Sequence, residues 1–229
     1  MRAPLSVIIP TLNAALSLTG CAASLFAGLN AGLIREVIIS DGGSTDDIAA
    51  LSGALGAVLV TGVGGRGGQL ARGAATAQGE WLLFLHADTI LSADWADAVQ
   101  SHLARHADKA GYFRLAFDAQ SGAARFVSGW ANLRSALFGL PYGDQGLLIS
   151  RDLYAAIGGY QDIPLMEDVA IARQLRGKLV MLNTTAQTSA VRFQTQGWVR
   201  RGARNLWTLA RYFTGTSPHR LARAYHRKD

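Results

Sequence analysis

A single α/β domain on a mainly parallel central sheet is the fold this sequence predicts, and three observations carry the prediction. Short apolar runs at 5–9, 36–40, 57–61 and 81–86 recur at intervals of roughly 20–30 residues, each interval holding a helix-compatible segment, as βαβ units require. Of the 229 residues 49% are apolar and 17% charged, which fills a sizeable core and excludes disorder over most of the length. The length suits one large domain with a tail. A single cysteine, Cys21, excludes an internal disulfide or a multi-cysteine zinc module, and its apolar neighbourhood marks an inert core thiol in a reducing compartment.

The elements follow in order. Residues 3–34 carry no charge, yet the apolar run at 5–9 is far too short to cross a bilayer and polar breaks follow it, so a buried strand leads into a helix over 14–28. Further helices are expected over 45–55, 69–78 and 94–106. The second half is less regular, with strands expected at 112–117, 146–150, 178–182 and 189–193 and helices at 124–138, 152–157, 167–175 and 198–213. His102 and His106 share a face of the fourth helix and read as solvated side chains, since no glutamate follows His102 as a metalloprotease motif needs. The organisation is a body, 1–198, and a basic helix and tail, 199–229.

The formal charge of +6 is uneven: residues 199–229 hold seven arginines and one lysine against one aspartate, so residues 1–198 are left at −1. That argues against a basic nucleic-acid face across the body and points to a local contact with phosphate, either of lipid headgroups or of a nucleic acid. On a helical wheel Trp198, Gly202, Leu206, Leu209 and Phe213 share one face, while Arg200, Arg204 and Arg211 group opposite with Trp207 among them. The alternatives are a helix packed on the body with a solvated basic face and an interfacial helix on anionic lipid. A cytoplasmic protein, peripheral at the inner face of the membrane, is the localisation this second reading implies.

In open α/β sheets ligands sit beyond the carboxyl ends of the strands. After the second strand comes Asp41-Gly42-Gly43-Ser44-Thr45-Asp46-Asp47, where Asp41 can accept from a ligand N–H or from its own loop, and Ser44 or Thr45 can cap the next helix. After the third, Gly62-Val63-Gly64-Gly65-Arg66-Gly67 matches G-x-G-x-x-G, which suits a dinucleotide-binding oxidoreductase or, with Arg66 and Arg72, a diphosphate cradle. The fourth strand delivers His86 and Asp88 two residues apart at its tip, either as ligands of a divalent ion on phosphates or as a packed histidine and a cap. Glu167 and Asp168 open a helix, as dipole-favoured acids or as a general base.

Taken together, Ser6 to Asn13, Asp41 to Asp46, Leu85-His86-Ala87-Asp88-Thr89 and Met166-Glu167-Asp168-Val169 resemble glycosyltransferase family 2, the inverting GT-A nucleotide-sugar transferases, in the family's motif order over about 170 residues. With Gly143-Asp144-Gln145-Gly146 the chain looks most like a small bacterial subgroup labelled selenodomain-associated, a label that establishes no reaction. The resemblance implies a GT-A-like domain that moves a sugar from a nucleotide-diphosphate donor, most simply a UDP-sugar, to an acceptor hydroxyl. It implies that Asp41 recognises the base, that Pro10, Thr11 and Asn13 border the nucleoside with Arg66 and Gln69 opposite, and that His86, Ala87 and Asp88 lie at the nucleotide. Asp88 would ligate Mn2+ or Mg2+, and Asp168, next to Glu167, would be the catalytic base. His86 stands where the family's D-x-D has its first aspartate, so it would bond the ribose or ligate the metal more weakly. Tyr142, Asp144 and Gln145 are the candidates for the acceptor side. A non-catalytic nucleotide-sugar-binding protein at membranes stands as a further alternative.

Overall fold

The structure is a computed structural model that describes residues 3–226; residues 227–229 of the expected tail lie outside it. Its first half has the expected strands and helices, with the first helix divided in two and an unexpected strand after the fourth: β1 (Leu5–Thr11), α1 (Ala15–Ser24), α2 (Phe26–Asn30), β2 (Ile34–Asp41), α3 (Ile48–Ala54), β3 (Val58–Thr61), α4 (Arg66–Thr76), β4 (Trp81–Phe84), β5 (Thr89–Leu91) and α5 (Trp95–Arg105). The second half contains β6 (Ala110–Phe117), α6 (Gly122–Phe138), a 3-10 turn at Gly143–Gln145, β7 (Leu147–Ser150), α7 (Arg151–Ala156), α8 (Glu167–Gln174), β8 (Leu179–Thr188), α9 (Val191–Gln196), α10 (Trp198–Phe213) and α11 (Pro218–His226).

Among the described residues eight strands form one sheet in the order β3-β2-β1-β4-β7-β6-β8-β5. The N-terminal four pair in parallel, with Ile8 in register between Ile38 and Phe84. β7 then runs antiparallel to both β4 and β6, β8 lies parallel to β6, and β5 closes the edge antiparallel to β8. The sheet is therefore mixed, and the expected parallel arrangement describes its first half. Helix α6 carries the chain from β6 to a strand that enters in the opposite sense between β4 and β6.

Both faces of β1 are covered, which is why it reads as a continuous apolar run. Successive side chains alternate between the faces: Leu5, Val7 and Ile9 pack with Leu18, Cys21, Trp95 and Val99, while Ile8 packs with Leu70, Ala74, Ile171 and Leu175. Trp95 is fully buried, its indole N–H donating to the Ser24 carbonyl at 2.9 Å; burial of such a side chain stabilises by about 1.5–3 kcal/mol. Gly28 lies beneath that ring, where any β-carbon would overlap it. Burial and then the nearby Asp88 push the Cys21 thiol up to about 12, which keeps it protonated and unreactive.

Three local expectations change. Residues 189–193 form no strand, because β8 continues to Thr188 and helix α9 starts at Val191, packing Phe193 against Phe117 and Trp198. His102 is buried, not solvated: it packs edge-on against Trp81, with Nε2 3.0 Å from the Lys109 carbonyl. In α10 the inward positions are Arg201 and Thr208, whereas Val199, Leu206, Trp207 and Phe213 are exposed. Among the described residues no helix is long and apolar enough to cross a membrane.

Candidate active site

The carboxyl ends of β1 and β2 are tied together by polar side chains. Asp41 is buried at the tip of β2, where one oxygen accepts from the hydroxyls of Thr11 and Ser44 and the other from the amides of Gly43 and Ser44, both at 2.8 Å. Burial opposes its charge, but the bonds from Ser44, Gly43 and Thr11 outweigh that and hold its pKa below the ordinary value. These four donors occupy all the acceptor positions of a carboxylate. Asn13, with φ of 51°, closes the other side, its Oδ1 accepting from the Thr45 backbone N–H at 2.8 Å and its own backbone N–H donating to Ser44 Oγ at 2.8 Å. Ser44 and Thr45 thus clasp the end of β1, and α3 starts at Ile48 with no side-chain cap. Pro10 is half-buried one residue before Thr11.

The chain itself approaches the glycines of the glycine-rich segment closely. A β-carbon at Gly67 would strike the Gln161 carbonyl and lie 2.8 Å from that of Ile163, and one at Gly62 would lie 2.6 Å from the Arg72 guanidinium, which donates to the Asp41 carbonyl at 2.9 Å. The glycines therefore admit neighbouring segments of the chain itself, which removes the physical basis of a dinucleotide fingerprint. Gln69 also departs from expectation: it is buried, and its side-chain amide donates to the carbonyls of Thr11 (2.7 Å) and Ser40 (3.0 Å), so it fastens β1 to β2 and does not face open space. Arg66 does face the cleft. Its guanidinium lies 3.5 Å from Glu167 and is 43% exposed. Partial desolvation opposes its charge, and Glu167, Asp144, Asp168 and Asp88 outweigh that to raise its pKa.

The third wall comes from the tip of β4, the 3-10 turn and the start of α8. His86 Nδ1 is 2.9 Å from Asp144, and the Gly143 backbone lies so close to Nε2 that a β-carbon there would be 2.5 Å away. Asp144 is held down to about 2: burial works against its charge, but the His86 hydrogen bond and charge, then Arg66 and Arg192, prevail. Asp88 is exposed at the strand tip, and Ala87 beside it is buried. Asp168 accepts from the Gly143 amide at 3.0 Å and from the Val169 amide at 2.7 Å, leaving each oxygen a free acceptor position. Glu167 is buried, and burial followed by the Asp168 charge raises its pKa, with Arg66 as its ion-pair partner. Helix α8 starts from Met166 in a left-handed conformation, φ 68°, which turns both acids inward.

A small cavity is lined by His86, Pro141, Tyr142, Tyr160, Glu167 and Asp168. Tyr142 is stacked under the Arg134 guanidinium at 3.5 Å. Gln145, expected on the acceptor side, is fully buried; it donates to the Phe113 carbonyl at 3.1 Å and accepts from Ser135 Oγ at 2.6 Å, so it supports the turn and cannot touch a ligand. Arg134 and Tyr160 were not among the expected residues. The signals available were a second base, after Arg125, in the otherwise uncharged 122–138 segment and an aromatic residue directly after two glycines. Among the described residues no three His, Cys, Asp or Glu side chains cluster as a self-contained metal cage. A solvent-facing carboxylate such as Asp88 fits the other kind of site, in which one or two carboxylates and phosphate oxygens share an ion.

Residues 6–148 match the glycosyl transferase family 2 model. The chain belongs to this family. No curated protein matches. Among solved structures, S. aureus TarS 1–349 superposes with a TM-score of 0.63 at 15% identity over 90% of this chain and 64% of that one. Glucosyl-3-phosphoglycerate synthase from Mycobacterium tuberculosis, in complex with Mn2+ and UDP-glucose, superposes with a TM-score of 0.57 at 19% identity over 81% and 69%. TarS in complex with UDP-GlcNAc gives 0.63 at 15% over 81% and 58%. This family 2 chain spans less than two thirds of TarS, and the likeness shows a common GT-A-like fold. Glu167 and Asp168 lie beyond the matched segment, at the start of α8.

Proposed function

We propose that this family 2 chain moves a hexosyl group from a nucleotide-diphosphate donor to an acceptor hydroxyl with inversion at the anomeric carbon. One observation carries the reading: Arg66 and the His86–Asp144 pair stand in electrostatic reach of the Asp168 carboxylate beyond the carboxyl end of β4, where His86 and Asp168 line one cavity. Asp168 takes the acceptor proton on a free oxygen lone pair, and the acceptor oxygen forms the new bond to the anomeric carbon. The bond from that carbon to the diphosphate breaks with its electron pair going to the leaving group, whose charge faces Arg66. Glu167 holds Arg66 in place, and Asp144 fixes the imidazole of His86. Asp41, saturated by its own loop, shapes the base pocket that Thr11 and Asn13 border, and Tyr142 and Asp144 edge the acceptor side.

Asp88 would hold a divalent ion, Mn2+ or Mg2+, which when bound supplies positive charge to the diphosphate. A UDP-sugar is the donor this reading favours, since the similar mycobacterial and staphylococcal structures contain UDP, UDP-glucose or UDP-GlcNAc. The division into a catalytic body, 1–198, and a basic extension, 199–229, that meets anionic lipid at a cytoplasmic membrane face belongs to the same proposal. A thermal-shift panel of UDP-, GDP- and dTDP-sugars with and without manganese tests it. A ligand at a hundred times its Kd adds about 2.7 kcal/mol to stability, so one diphosphate series should raise the melting temperature and lose the effect in EDTA. No shift with any donor would overturn the reading.

A further inference from the structure

Helices α6 and α10 pack together, and both are amphipathic in the inverted sense. On α6, Phe126, Trp130, Leu133 and Leu137 recur at i, i+4, i+7 and i+11, so they form one stripe, and all four are exposed, Phe126 by 75% and Leu137 by 67%. The positions turned to the body are Ala124, Ala131, Arg134 and Ser135. On α10, Val199, Leu206 and Phe213 form a second exposed stripe with Trp207 beside it, opposite the buried Arg201 and Thr208. A lone exposed apolar side chain is ordinary, whereas two neighbouring helices that turn their large apolar residues outward call for a cover.

Charge selects the cover. From Val169 to Lys228 there are twelve basic residues and no acid, and α6 adds the exposed Arg125, again with no acid. Arg125, Arg200, Arg220 and Arg223 are exposed. A second copy of the chain would set like charges against each other, whereas aromatic and aliphatic side chains rimmed by arginine match the interface of an anionic bilayer. We infer that α6 and α10 form a single face that seats on an anionic lipid surface, α6 inserting its Phe126–Leu137 stripe and α10 adding Trp207 and its flanking arginines. This deepens the lipid contact proposed for the basic extension, and it assigns the inserting element to the body of the domain. The C-terminal end of α6 leads within four residues to Tyr142, so the seated face brings the cleft beside Asp168 to the membrane.

Flotation of the full chain with phosphatidylcholine vesicles, with and without phosphatidylglycerol, tests this. The protein is expected to float with the anionic vesicles only and to be released by salt, since exposed charges are screened within about 8–10 Å. Phe126→Ser with Trp130→Ser should lower the bound fraction about tenfold or more, the loss expected when large apolar side chains no longer insert. Manganese-dependent UDP binding by this variant should stay unchanged, which separates failure of the face from failure of the transferase reading. Arg200→Glu with Arg220→Glu should abolish flotation. Loss in the arginine variant with full binding by the α6 variant would overturn the inserting face. Absence of flotation, or a dimer in solution that the α6 variant dissolves, would overturn the lipid surface altogether.

Discussion

Asp41 and Asp168 are both carboxylates at the rim of the sheet, and hydrogen bonding separates their duties. Four donors saturate Asp41, which makes it the keystone of the 41–47 turn, while Asp168 receives two and keeps a lone pair on each oxygen for a proton. Asp168→Asn should lower turnover by about two to four orders of magnitude with UDP affinity nearly unchanged, as removal of a general base does, while the melting temperature falls only by the one backbone hydrogen bond that the new NH2 group cannot accept; steady-state kinetics beside calorimetry make the check. His102 gives a pH signature of its own. Burial is the main cause of its lowered pKa, with the Lys109 carbonyl acting in the opposite sense and His106 adding to the lowering. Below the ordinary value of 6.5 the unfolded chain therefore binds a proton that the folded chain refuses, and stability falls as pH falls from there toward the folded pKa. Urea titrations at pH 7.5 and 5.5 should show the loss, and His102→Gln, which keeps a donor for the Lys109 carbonyl, should flatten it.

At the scale of elements, the glycine-rich turn into α4 is shaped by what approaches it. Gly67→Ala sets a methyl group against the carbonyls of Gln161 and Ile163, backbone atoms that cannot step aside, so it should destabilise by about 1–3 kcal/mol. Gly53→Ala in α3 meets open space and should stabilise by about 0.4–1 kcal/mol. Chemical denaturation of the pair distinguishes packing from a loop built to receive phosphates, since a receptive loop would tolerate the methyl group at Gly67 without loss of stability. This was hidden in the sequence, because G-x-G-x-x-G records only that something comes close. The strand tips were legible, since a continuous apolar run that ends in Asp41 or in His86-Ala87-Asp88 marks both the strand and its exit. Gln69 and Gln145 were not, because a buried glutamine has the same local signature as an exposed one until the carbonyls it bridges, Thr11 and Ser40 or Phe113, are brought together by the fold.

For the molecule as a whole, the periodicity of the N-terminal half dictated its parallel layout, while the sense of β7 depended on a choice that no local pattern encodes. A long α6 crossover allows the next strand to enter in either direction, and the result is an antiparallel seam between β4 and β7 that joins the halves. Leu83 sits on that seam, fully buried, in register with Val7 of β1 and with Leu148 of β7. The core around it mixes residues from both halves, Leu5 and Ile39 with Phe113, Leu182 and Ala186. Leu83→Ala removes contacts on both sides of the seam and should cost about 2–5 kcal/mol. If the sheet is one cooperative unit, native-state hydrogen exchange of globally protected amides in β2 and in β8 should register the same loss, although neither strand touches β4 in the sheet order. A loss confined to β1–β4 would mean that the C-terminal strands and helices hold a core of their own.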